Sequence, residues 1–170
     1  MARAKPKAKP KSPRSGIAST RRGLAERRHR PGAKAGSKAR SRARKPQKFT
    51  VSHHRDEDFK AGLRRYAKYR DLGIGEATHG MVQAHVIRLV PPCRPEEVSK
   101  RHYHDVDFQM VYVLKGWMKT KFEGQGAHVM RAGSAWIQPP RIEHVVLDYS
   151  DDCEVLEVIL PADFATVELE

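Results

Sequence analysis

The chain has no long apolar run. Its longest, Met110 to Leu114, is five residues, far short of the roughly 20 needed to span a bilayer as a helix. No apolar stretch follows the N-terminal charges, so the sequence reads as lacking a secretory leader. Cysteine is scarce. Cys93 and Cys153 are the only two, which excludes a disulfide framework and a CxxC site, and thiols in a reducing cytoplasm are expected. P-loop and dinucleotide motifs are missing, as is a Ser-His-Asp pattern. Acid is almost absent from the first 48 residues, where Glu26 stands against 18 basic residues for a net of +17. Residues 49–170 hold 15 basic and 19 acidic residues, a net of −4, so the overall +13 describes a basic tail on a mildly acidic body.

Residues 1–48 also lack aromatics, and Met1, Ile17 and Leu24 are their only large aliphatic side chains. Such a segment cannot bury enough apolar surface to offset its ordering entropy and is expected to be disordered. Lys5, Lys7, Lys9 and Lys11 alternate with Pro or Ala, which favours extended, self-repelling conformations. Counterion release would let this tail bind nucleic acid or another polyanion weakly and without sequence preference. Three readings stay open for it: a solvated extension or misplaced start, a nonspecific polyanion-binding arm, and an organelle transit peptide.

The body, residues 49–170, changes character. Phe59, Leu63 and Tyr66 fall at helical spacing in residues 56–70, which predicts a short helix. Asp71 to Gly75 reads as a break. Short segments of period-2 alternation follow, separated by turn residues: His79–Val90, Asp107–Lys115, Trp117–Glu123, Ala127–Arg131, Ser134–Gln138, Glu143–Tyr149 and Cys153–Leu160. Seven short strands with little helix predict an all-β sandwich or barrel.

Histidine placement carries the chemistry. His102 and His104 are two apart, so on a strand their side chains share a face and form a ready pair of transition-metal ligands. Gln109 follows across the acidic turn Asp105-Val106-Asp107, and His144 comes after Pro139-Pro140-Arg141. A surface coincidence explains an isolated H-x-H pair equally well; the flanking residues decide. His102-Tyr103-His104, four residues, Gln109, six residues and Gly116 resemble the first motif of the cupins, small double-stranded β-helix (jelly-roll) proteins. Gly133, Pro139, Arg141, His144 and Asp148 resemble their second. The two are 16 residues apart, and the resemblance covers roughly residues 80–160, with core motifs over 96–148.

The resemblance implies a jelly-roll barrel binding one divalent transition metal ion through His102, His104, Gln109 and His144. Fe, Mn, Ni, Zn and Cu all suit imidazole and amide ligands. Glu96 and Arg141 replace motif glycines, Asp148 an asparagine, and Gln109 the usual glutamate. Three imidazoles and an amide leave the ion its full charge and supply no base. Some small cupins acting on unsaturated uronates or in polyketide cyclisation share this His, His, Gln, His pattern, so non-redox chemistry on an oxygen-bearing small molecule is favoured over a dioxygenase. The rival expectation is a non-catalytic sensing or structural cupin whose tail binds nucleic acid.

Parity assigns the remaining residues. His85 shares a face with Ile87 and Leu89 and reads as a satisfied core histidine, with a substrate contact as the alternative. Arg88, on the other face, is expected to pair with an acid. Trp117 and Trp136 read as packing or dimer-surface residues. Met110 and Tyr112 point outward and suggest a homodimer face, while His53, His54 and His128 read as surface.

Overall fold

A computed structural model describes residues 45–170. The tail expected over residues 1–48 therefore lies outside the described residues except for its last four. Two of those four touch the body. The Pro46 carbonyl accepts a hydrogen bond from His79 Nε2 (2.8 Å) and Lys48 N–H donates to the Ala77 carbonyl (2.9 Å).

A 3-10 turn at Asp56–Asp58 precedes β1 (Lys60–Ala61), β2 (Ala67–Asp71), α1 (Ile74–Ala77), β3 (Gln83–Leu89) and α2 (Pro95–Val98). There follow β4 (His102–Asp105), β5 (Phe108–Lys115), β6 (Trp117–Phe122), β7 (Gly126–Arg131), β8 (Ala135–Ile137), β9 (His144–Tyr149), β10 (Glu154–Leu160) and β11 (Ala165–Glu168). All pairings are antiparallel. One sheet runs β1-β2-β3-β10-β5-β8 and the other β11-β4-β9-β6-β7, the jelly-roll architecture that the alternating segments predict. Each of the seven expected strands is present; six are trimmed at their ends, and Ala127–Arg131 instead begins one residue earlier, at Gly126.

The helix expected within residues 56–70 is not there. Its apolar spacing serves separate contacts: Phe59 packs under the Arg88 guanidinium (3.9 Å), Tyr66 stacks on Tyr149 (6.4 Å between centroids), and Leu63 is 75% exposed. Between them Gly62 lets the Tyr69 ring close in, to 2.5 Å from where a Cβ would sit. Sheet pairing of Lys60–Ala61 with Lys68–Tyr69 then outweighs local helical periodicity. Arg88 does find its acid, donating from Nε to Glu154 (2.6 Å), and it also reaches Asp56 (2.9 Å).

The inward faces of the two sheets make one apolar core, in which Val98, Val113, Cys153 and Ile159 are fully buried. Burial pushes the Cys153 thiol up to about 12, so it behaves as a small apolar side chain. The Gly116 turn joins the sheets. Gly116 has φ +66°, and a Cβ there would meet Ser150 Oγ at 2.2 Å and Asp152 Oδ1 at 2.6 Å. The second motif's internal glycine position is likewise left-handed here. Arg141 occupies it with φ +62° and is held by two hydrogen bonds to the Asp105 carboxylate (2.9 and 3.2 Å).

Candidate metal centre

Register places the histidines. His102 on β4 lies directly opposite His144 on β9, and His104 opposite Thr166 on β11, so all three imidazoles leave the same face of one sheet. Their ring centroids are 4.3 Å apart for His102–His144 and 5.2 Å for each of the other pairs. One ligand nitrogen from each lies within 4.8 Å of the other two.

Backbone carbonyls fix two of the tautomers. His102 Nδ1–H donates to the Lys100 carbonyl (2.9 Å) and His144 Nδ1–H to the Ile142 carbonyl (3.0 Å), leaving each Nε2 as the unprotonated nitrogen; that of His144 accepts a hydrogen bond from Gln138. His104 Nδ1 shares a hydrogen bond with the Thr166 hydroxyl (2.9 Å). Anchoring the outer nitrogen is how metal-binding imidazoles are held in orientation. Burial pushes all three down to about 4, so they are neutral at physiological pH, the form in which imidazole ligates. Three neutral, convergent imidazoles, two of them buried and His104 half-buried, fit a transition-metal ion.

Gln109 comes from the facing sheet and is 1% exposed. Its Nε2 donates to Glu157 (2.6 Å), which turns Oε1 the other way; that oxygen accepts from Gln138 Nε2 (3.1 Å). The same Gln138 nitrogen lies 3.2 Å from His144 Nε2. Gln109 Oε1 and the imidazole lone pair therefore share one neighbour, and the two sheets bring all four expected residues to one place.

Glu157 is what sequence reasoning missed. It sits opposite His85 on β3, bonded to His85 Nε2 (2.6 Å), and near Gln109 on β5. Desolvation alone would raise its pKa, but the His85 and Gln109 hydrogen bonds and the nearby imidazoles hold the carboxyl below the usual range. The four expected ligands supply no base, and a carboxylate stands beside them on β10, hydrogen-bonded to Gln109. Its signal was present as a charge sharing a face with Val155 and Ile159 on an apolar strand. His85 is also more than a core residue, because with Glu157 it lines the cavity.

That cavity, about 320 Å³, is bounded by His85, Glu157, Gln138 and the three imidazoles, with Val111, Met118, Val146 and Val155 as apolar wall. Trp136, read from sequence as packing or dimer surface, lines it and donates Nε1–H to Gln138 (3.1 Å). Phe164 stands edge-on to His104 at 5.6 Å. Arg64, in the loop before β2, is near enough for its charge to disfavour protonation of all three imidazoles. His53, His54 and His128 are exposed as expected, and Asp105 is engaged with Arg141 rather than with an imidazole.

Two facing antiparallel sheets around a histidine-lined cavity define a double-stranded β-helix barrel. Residues 93–159 match the family model described as Cupin domain. Among solved structures it is similar to the polyketide cyclase RemF from Streptomyces resistomycificus: 19% identity, TM-score 0.55, covering 71% of this chain and 86% of that one. It is similar to KdgF from Halomonas sp. at 17% identity and TM-score 0.51, covering 65% of this chain and 94% of that one. A formate complex of Lactobacillus farciminis oxalate decarboxylase aligns at 16% identity and TM-score 0.52, over 66% of this chain. The match spans about a third (34%) of that decarboxylase's length. No curated protein sequence matches the chain significantly.

Proposed function

We propose that the chain is a metal-dependent enzyme acting without redox chemistry on an oxygen-bearing small molecule, such as a uronate, sugar or diketone, held in the barrel. The observation that carries this reading is the convergence of three neutral imidazoles, two buried and one half-buried, on one cavity. His102, His104, His144 and Gln109 would hold one divalent ion of Fe, Mn, Ni, Zn or Cu. Bound there, such an ion supplies Lewis acidity toward a substrate oxygen. The chain's own residues do the rest. Glu157, ionised and paired with His85, offers a proton acceptor on the cavity wall. Gln138 and Trp136 hold the Gln109 amide in place, and the apolar wall limits water. Similarity to RemF and to KdgF is a likeness of fold and leaves the reaction to be argued from the site.

Elemental analysis of the full chain tests the site. Near-stoichiometric metal in the parent and little in His102→Ala/His144→Ala is expected; metal retained by the double variant sinks the ligand assignment. Turnover of a uronate, sugar and diketone panel, lost in Glu157→Gln with metal content unchanged, tests the chemistry. No helix among the described residues is long and apolar enough to cross a membrane, and we place the protein in the cytoplasm.

A second reading rests on the net charge of +17 in residues 1–48: a ligand-sensing or structural cupin tethered to nucleic acid or another polyanion. Binding that requires the tail, with no turnover of any panel member, favours it. We also assign a homodimer to the outer face of β5 and β8. There Tyr112, Leu114 and Ile137 are 38%, 44% and 60% exposed, and Met110 pairs with Ile137. A monomeric mass in solution, unchanged by Ile137→Lys, argues against it.

A further inference from the structure

Two polar groups in the cavity wall are left without a partner. The Arg64 side chain is 10% exposed; its Nη1 is paired with Glu168, but its Nη2 is buried and makes no hydrogen bond. The hydroxyl of Thr120, a residue 1% exposed on β6, is likewise buried and unpaired. Both residues line the cavity with the three imidazoles. Nearly all buried donors and acceptors in a folded protein are satisfied, so a buried, unpartnered guanidinium nitrogen on a residue that lines the cavity marks a place for a ligand's acceptor.

We propose that the cavity takes a small organic monocarboxylate, its carboxylate on the free Nη2 of Arg64 and a hydroxyl or carbonyl oxygen of the same molecule facing the imidazole cluster. Thr120 supplies a second hydrogen bond inside the barrel. This rests on the histidine cluster being a metal centre, and it narrows the substrate from any oxygen-bearing molecule to an acid.

Geometry and charge agree. Guanidinium is the side chain best shaped to take a carboxylate, and one of its two terminal nitrogens is already committed to a carboxylate from β11. Glu168 thus holds Arg64 in place and leaves one nitrogen for the ligand. With a divalent ion bound, the formal charges of the ion, Arg64, Glu157 and Glu168 leave an excess of one positive charge, which one carboxylate neutralises. The remaining wall, with Val111, Met118, Val146, Phe164 and Trp136, suits an apolar or ring-shaped body rather than a second charge. Neutral sugars, and diketones without an acid group, could accept a hydrogen bond from Nη2 but would leave the excess positive charge unmatched.

The test uses the full chain, once loaded with zinc and once stripped with a chelator. Binding of mandelate, benzoate and 2-oxobutyrate is compared with that of their neutral amides by calorimetry and by Trp136 fluorescence. The zinc-loaded protein is expected to favour at least one acid over its amide by tenfold or more. Arg64→Gln should remove that preference without changing zinc content, and Glu168→Gln, which keeps an acceptor for Nη1 but removes a negative charge beside it, should strengthen it. No acid bound more tightly than its amide overturns the proposal, as does a preference that survives Arg64→Gln. If Arg64→Gln does not fold, an unchanged preference in Glu168→Gln overturns it instead. A protein that binds no zinc yet keeps an Arg64-dependent preference for acids would overturn the metal reading and leave this one standing. Zinc binding with no preference would do the reverse.

Discussion

At the scale of single residues, Gln109 and Glu157 form a pair with one charge between them. The amide donates to a carboxylate that also accepts from His85. Gln109→Glu would restore the side chain usual at this motif position, but it would set two carboxylates where a 2.6 Å hydrogen bond now stands. Like charges this close cannot both stay ionised in a buried site, so the variant is expected to lose about 3 kcal/mol of stability. Glu157→Gln alone should also destabilise, because His85 loses its partner. The exchange Gln109→Glu/Glu157→Gln keeps one charge and should recover most of the loss. A double-mutant cycle by denaturant unfolding measures this, and additive losses would refute the coupling. The four motif residues were legible in the sequence because their spacing is local to three strands and the two turns that precede Gln109 and His144. Glu157, Gln138 and Arg64 were not, because each acts across strand pairs or a loop that sequence spacing does not encode.

Among the elements, the β5–β6 turn at Gly116 is the tightest constraint. Its left-handed φ of +66° and the absence of a Cβ let the chain pass beside Ser150, whose hydroxyl accepts from Trp117 N–H at 2.9 Å. Gly116→Ala is expected to cost about 2 kcal/mol or more, from strain at positive φ and from the clash at 2.2 Å. Thermal unfolding reads this directly, and a loss no larger than that of a surface substitution would refute it. Turns of this kind made the seven main strands readable, since glycine and proline punctuate clean alternation. The shorter pieces resisted. β1 has two residues, and β11 carries Ala165–Glu168, with no run long enough to show a period. Yet β11 matters to the site, because Thr166 opposite His104 anchors its Nδ1. The predicted helix failed for a related reason: Phe59, Leu63 and Tyr66 have the spacing of one face but belong to three different surroundings.

For the whole molecule, charge is divided between a tail of net +17 and a body of net −4. Affinity for double-stranded DNA should therefore fall steeply with salt and vanish on removal of residues 1–48, read by fluorescence anisotropy. Binding retained by residues 49–170 would place the contact on the body. The body's own stability should respond to acid in two windows. His102, His104 and His144 are pushed down to about 4 from an ordinary 6.5. The unfolded chain takes up their protons as pH falls through 6.5, whereas the folded, metal-free chain refuses them until about 4. Their contribution is thus complete above 6.5 and is lost between 6.5 and 4, at up to about 1.4 kcal/mol per pH unit for each imidazole. Glu157 acts in the same direction but at lower pH: its lowered carboxyl stabilises the fold above the ordinary value of 4.5 and gives that up only below it. Between pH 6.5 and 4.5 the histidines therefore dominate. Denaturant unfolding of chelator-treated protein at steps across this range should show the slope, and His102→Gln/His144→Gln, which cannot take up those two protons in either state, should flatten it by about two-thirds. A slope unchanged in that variant would mean that the imidazoles are not held neutral by the fold, and the lone pairs assigned to the metal would not be available near neutral pH.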